Sequence, residues 1–180
     1  MTVMARFCAR CAAPLPHHPP VACPACGYAH WVNPRPTGSV IIVDGSRFLA
    51  VRRAREPQKG LWDIPGGFCD AWEPPADAAV REAREELGLD VRLDRFIGMY
   101  IGEYHYQDER LPVLDCFWRA SVVGGDLTLD ETEASEYAWL PLAEPPPMAF
   151  ATQERALAEL VAHEPHGPSD LTAGDHHPLW

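Results

Sequence analysis

The sequence predicts an α/β domain with a small metal-bound module in front of it. Three observations predict this: apolar runs of strand length, an amphipathic helix between them, and two Cys-x-x-Cys pairs at Cys8/Cys11 and Cys23/Cys26. With 180 residues, 47% of them hydrophobic, the chain supplies one ordinary core and an appendage but not two full domains. The expected divisions are a ribbon over 1–35, a main domain over 36–145, and a C-terminal helix and flexible tail over 146–180.

The opening segment reads FCARCAAPLPHHPPVACPACGYAHWVNPRP, with eleven residues between its two cysteine pairs. Two such knuckles can each wrap one side of a tetrahedral cation. Four thiolates then close the shell, as in structural zinc sites, and leave no position for substrate. A segment so short and proline-rich buries little apolar area, so metal binding and folding should be coupled. A redox pair or inert cysteines are the competing readings. With four thiolates available, His17, His18 and His30 are read as loop residues, and Cys69 and Cys116 fit no pattern.

Next, SVIIV and FLAV form two strands about a turn at Asp44-Gly45. A helix is predicted from Ala76 to Leu87, with Pro74 and Pro75 where a helix can begin and Gly88 where one can end. FIGMYIGEYHY and LPVLDCFWRASVV are further strands separated by a QDER turn, and AWLPL closes the sheet. From Phe150 the composition turns helical, and the tail HEPHGPSDLTAGDHHPLW has the character of a disordered terminus.

Charge narrows the function. The formal net charge is −11 and the pI about 5.1, which disfavours a nucleic-acid partner. Residues 1–36 hold Arg6, Arg10 and Arg35 with no acid, which leaves −14 for the rest and marks a module boundary. No run approaches the roughly 18 apolar residues of a membrane span, and MTVMARFCARC lacks a secretory core. The cytoplasm is therefore the expected location, with no membrane partner.

The helix carries the chemistry. At about 100° per residue, Ala76, Ala79, Val80, Ala83 and Leu87 make its apolar face. Glu82 and Glu86 border that face, and Glu85 lies further round. Like charges at these spacings repel, and partial burial raises the cost. Arg81 offsets part of it, but it cannot serve three carboxylates and Glu73 together. A hard divalent cation such as Mg²⁺ fits the deficit, because it takes carboxylate and phosphate oxygens. The competing reading is a solvated acidic face.

From Gly67 through Glu73, Arg81, Glu82, Glu85 and Glu86 to Gly88, the chain follows the pattern G-x5-E-x7-R-E-U-x-E-E-x-G-U, with U apolar. It resembles the Nudix hydrolase family in its zinc-ribbon-containing subgroup, and KGLWDIPGGF and SEYAWLPL extend the likeness over about 36–145. The resemblance implies an α/β/α sandwich with a mixed sheet. It also implies hydrolysis of a nucleoside diphosphate linked to another group, with Mg²⁺ or Mn²⁺ as cofactor. Glu82, Glu85 and Glu86 then match the metal-binding glutamates, and the Gly66 carbonyl is placed to help. Arg81 matches the arginine that orients them, with Glu73 as its partner. The base is a box glutamate or a late-loop acid, which leaves Glu82, Glu133 and Glu136 open, and Glu136 is also a candidate extra ligand.

For the substrate, Arg52 and Arg53 offer forked donors to phosphate or are ordinary surface charge. Alternation places Tyr100, Tyr104 and Tyr106 on one face, where they stack a ring or pack the core; Trp62 is equally ambiguous. The subgroup is similar to FAD and NADH pyrophosphatases, so the resemblance implies a dinucleotide such as FAD, ADP-ribose or NADH. The S-Q-P-W-P-F-P element of NADH pyrophosphatases is absent, which points away from NADH. The alternatives are a triphosphate pyrophosphohydrolase that cleans the nucleotide pool, or a non-catalytic nucleotide-sensing regulator. Related enzymes often form homodimers.

Overall fold

The computed structural model describes residues 6–106 and 109–163. Part of the QDER turn (107–108) and the tail from 164 onward lie outside the described residues, as does the side chain of Tyr106. No helix among the described residues is long and apolar enough to cross a membrane.

The N-terminal module pairs β1 (Val21–Ala22) with β2 (Ala29–His30). The main sheet grows around β3 (Arg35–Asp44). Thr37, Gly38 and Ser39 pair with β6 (Gly66–Phe68), and Arg35 to Ile42 run parallel to β8 (Glu109–Gly125). The end of β3 turns back into β4 (Arg47–Arg53) through Gly45 and Ser46, one residue later than expected. β4 in turn carries β5 (Trp62–Asp63) and β9 (Ala134–Pro141). β7 (Leu89–Tyr106) lies antiparallel to β8 as the outer strand. The parallel β3–β8 pair makes the sheet mixed.

Helices cover both faces, which is why SVIIV is continuously apolar. Val40, Ile42, Leu49 and Val51 pack towards α1 (Pro75–Leu87) through Ala79, Ala83 and Leu87. Ile41, Phe48 and Ala50 point the other way, towards Ala156, Leu157 and Leu160 of α2 (Ala151–His163). This is the α/β/α sandwich. Its two strand-alternating cores supply the main hydrophobic stabilisation, at roughly 25 cal/mol per Å² of apolar surface removed from water.

Two details depart from the sequence reading. The buried face of α1 contains Ala78, while Val80 is 37% exposed, so the helix is rotated about its axis relative to the expected face. Register shifts interrupt β7 between Asp90 and Val91, Leu93 and Arg95, and Phe96 and Gly98. Such bulges break strict alternation. Beyond Gly98 the register is continuous, so Tyr100 and Tyr104 share a face as expected but meet different neighbours along it: Tyr100 packs against Phe117 at 6.1 Å, whereas Tyr104 meets Phe68 and Phe150.

Candidate active site

The site forms where α1 lies close over β3 and β6. Gly38 permits this approach, because a Cβ there would stand 2.0 Å from the Pro75 carbonyl oxygen. Gly67 likewise makes room for Glu82, whose Oε1 lies 2.4 Å from where a Cβ would be. A cavity of about 360 Å³ opens at this junction, and Glu82, Glu85 and Glu86 all face it.

Arg81 organises two of the three glutamates. Its Nη1 donates to Glu82 Oε1 at 2.8 Å and to Glu85 Oε2 at 2.7 Å, while Nη2 donates to the Phe68 carbonyl at 3.1 Å. The same guanidinium meets Glu73 with two hydrogen bonds, as the sequence implied. Glu86 receives none of this. Its Oε2 accepts from the Gly66 amide at 3.1 Å, and burial, reinforced by the charges of Asp63 and Glu82, pushes its carboxyl well above the ordinary range. Burial also raises Glu82, against the pull of Arg81.

Three carboxylates facing one cavity, two of them half-buried, form a hard-oxygen donor set that suits Mg²⁺ or Mn²⁺ chemically. Their oxygens are drawn to Arg81 and Gly66, however. Among the described residues only the four cysteines bring three or more ligand atoms together around one point. A cation at the glutamates would therefore compete with Arg81 for Glu82 and Glu85.

The opposite wall was only partly legible. Arg53 lines the cavity, ion-paired to Asp63 and donating to the Pro57 carbonyl at 2.6 Å. Asp63 is buried and accepts from the Gln153 amide, and burial raises its carboxyl despite both partners. The Gln153 carbonyl oxygen is buried and has no hydrogen-bond partner among the described residues. Asp63 and Gln153 escaped the sequence reading, since single polar residues on otherwise apolar elements carry no period. The W-D-I-P segment running into the box was the available signal for Asp63.

Three predicted residues fall elsewhere. Arg52 turns away from the cavity to pair with Glu136, its register partner on β9, and its guanidinium lies 4.5 Å from the Trp62 ring centroid. None of these three lines the cavity, because successive residues of β4 point to opposite faces and only Arg53 points inward. Of the two late acids, Glu133 is the one at the site, ion-paired to Arg55. Tyr104 and Gly66 line the cavity.

The cysteines converge. Cys8 and Cys26 Sγ are 3.7 Å apart, as are Cys11 and Cys23 Sγ, and all four lie within 4.8 Å of one another. Four sulfurs at about 2.3 Å from a tetrahedral zinc would stand about 3.8 Å apart, so the spacing fits that ion and is far too long for a disulfide. The module wraps them with matching knuckles, Ala12 N–H to Cys8 carbonyl and Gly27 N–H to Cys23 carbonyl, each at 2.8 Å. His30 proves to be no loop residue. It is buried on β2, with Nε2 3.2 Å from Cys8 Sγ. Burial works against a charged Cys8 sulfur, but His30 and the nearby amides outweigh it and bring the thiol down to about 6.

Comparison with known proteins agrees with this geometry. The family profile described as NUDIX domain matches residues 33–161. An ADP-ribose pyrophosphatase of Methanocaldococcus jannaschii is 30% identical over 123 residues, covering 68% of this chain and 71% of that protein. An NAD-capped RNA hydrolase NudC of Pseudomonas aeruginosa is 27% identical over 146 residues, and the chain spans only 50% of its length. Among solved structures, a NUDIX hydrolase from Nitrosomonas europaea superposes with a TM-score of 0.69 at 23% identity, covering 89% of this chain and 94% of that one.

Proposed function

This chain belongs to the NUDIX family of hydrolases, and on that premise we propose that it cleaves the diphosphate link of a nucleoside diphosphate joined to a second group, of the ADP-ribose or FAD kind. One observation carries the reading: a single cavity holds Glu82, Glu85 and Glu86 together with Arg53, Arg55 and Arg81. An otherwise acidic protein thereby gathers the charges that a diphosphate needs. The ADP-ribose pyrophosphatase likeness supports the substrate class.

Glu82, Glu85 and Glu86, with the Gly66 carbonyl, are the groups that would hold Mg²⁺ or Mn²⁺. When bound, such a cation supplies charge for the phosphoryl oxygens and acidifies water. The chain's own residues do the rest. Arg53, held by Asp63, and Arg55 meet phosphate oxygens from the far wall. Arg81 sets the carboxylates, and Glu82 or Glu133 accepts the proton of the attacking water. Zinc at Cys8, Cys11, Cys23 and Cys26 is structural in this reading.

The test is product analysis with Mg²⁺ on ADP-ribose, FAD, NADH and a nucleoside triphosphate. Two monophosphates from a dinucleotide-type substrate are expected. Release of inorganic pyrophosphate from the triphosphate alone would favour pool cleaning, and no turnover at all would favour a nucleotide-binding regulator.

A further inference from the structure

Gln153 stands in the first turn of α2, the helix on the opposite side of the sheet from the glutamates, yet it lines the same cavity. The chain entering that helix is seated against β5: the Ala149 N–H donates to the Trp62 carbonyl at 2.7 Å, and Met148 bridges to Trp62. From this seat the Gln153 amide donates to Asp63 Oδ1, while Asp63 Oδ2 accepts from Arg53 Nη1. One buried carboxylate thus couples α2 to the arginine on the cavity wall. The other end of the amide is costly. Gln153 Oε1 is buried with no hydrogen-bond partner among the described residues, and an orphaned acceptor costs about 1–3 kcal/mol. Flipping the amide would set that oxygen against the Asp63 carboxylate, so the orphan is the consequence of a donor committed to Asp63. Farther along α2, Ala156, Leu157 and Leu160 fill the buried face with apolar groups, and a methionine at 153 would do so without an orphan. A polar group kept at such cost beside a cavity points to function rather than packing.

We propose that Gln153 is a positioning residue: it fixes the Asp63 carboxylate, which in turn aims the Arg53 guanidinium at the diphosphate in the cavity. This rests on the hydrolase reading for the identity of the anion, but not for the chain of hydrogen bonds. Asp63 is too buried for solvent to replace a lost donor, so without Gln153 its Oδ1 has less to hold it in place. Arg53 keeps a second anchor, Nε to the Pro57 carbonyl at 2.6 Å, so its aim is loosened rather than abolished.

The experiment titrates inorganic diphosphate with Mg²⁺ calorimetrically into the full-length protein and its Gln153→Met, Arg53→Gln and doubly substituted variants, alongside urea unfolding. Gln153→Met should weaken diphosphate binding by about fivefold or more, within the range for residues that share one hydrogen-bond network. In the Arg53→Gln background the same substitution should add almost nothing, because the group it acts through is gone. Should Gln153→Met fail to fold, Gln153→Leu carries the same expectation. A merely structural glutamine would lower the urea midpoint and leave the affinity of the folded protein unchanged; that result, or losses that add in the double variant, overturns the proposal. On a hydrolysed substrate Gln153→Met should raise KM and leave kcat within about twofold, the signature of binding lost equally in ground and transition states. Turnover is a separate result. A parent that binds diphosphate but cleaves no nucleotide would sink the hydrolase reading and leave the role of Gln153 to the calorimetry, whereas turnover with an unchanged diphosphate affinity would keep that reading and sink the role.

Discussion

Arg81 and Glu73 meet fork to fork, Nε to Oε1 at 2.9 Å and Nη2 to Oε2 at 2.8 Å, and this pair ties the loop before α1 to the helix. The Arg81 hydrogen bonds, with help from the Asp70 amide, lower the Glu73 carboxyl from 4.5 to about 2. A carboxyl depressed in the folded state adds stability that is complete above its ordinary value and is lost as pH falls through the depressed one. Glu73→Gln should therefore lower the melting temperature at pH 7, and the difference from the parent should shrink between about pH 4.5 and pH 2. Thermal melts across that range check it, and a pH-independent difference would contradict the pairing.

Glu85 is the most exposed of the three glutamates, at 58% of its side chain, so its substitution is the least disruptive to the fold. Glu85→Gln should fold normally yet lose at least about 100-fold in kcat, beyond the range set by residues that only support a metal ligand. A steady-state assay alongside circular dichroism decides between loss of chemistry and loss of structure.

Much of this was legible because it is local. The helix, its proline start and glycine stop, and the two cysteine knuckles are written within windows of a few residues. What failed depends on pairing across the sheet. Nothing local announces that β3 runs parallel to β8, or that bulges interrupt β7 before Gly98. Glu136 and Glu133 look alike in sequence, but Glu136 is bound into the β4–β9 register opposite Arg52, while Glu133 precedes that strand and faces the cavity.

The same register makes neighbouring arginines unequal. Arg52→Ala should leave KM within about twofold, since its partners, Glu136, the Gly60 carbonyl and the Trp62 ring, all lie off the cavity. Arg53→Ala should raise KM at least about tenfold, because it empties a charged position on the cavity and leaves Asp63 buried without its cation. Kinetics on the two variants separate them, and equal effects would refute the placement.

Gly38 tests the seating of the helix. Any Cβ there must displace the Pro75 carbonyl and the Ala79 nitrogen, 2.0 and 2.6 Å away, and both are backbone atoms that cannot rotate aside. Gly38→Ala should cost about 3 kcal/mol or more in urea unfolding, the upper part of the range for overpacked cores. It should also impair catalysis, because α1 carries Glu82, Glu85 and Glu86.

The cysteine cluster gives the last prediction. The module has two-residue strands and few buried apolar side chains, Cys8, Val21 and Cys23 among them, so on the zinc reading its order should come largely from the metal. Cys8→Ser combined with Cys11→Ser removes one ligand from each of the two close sulfur pairs, Cys8–Cys26 and Cys11–Cys23. Elemental analysis should then fall from one zinc per chain to none, and protease should cleave before β3. Magnesium-dependent nucleotide binding should persist, because β3 onward packs through its own two cores. Full retention of zinc, or loss of nucleotide binding along with it, would show that the two metal centres are not independent.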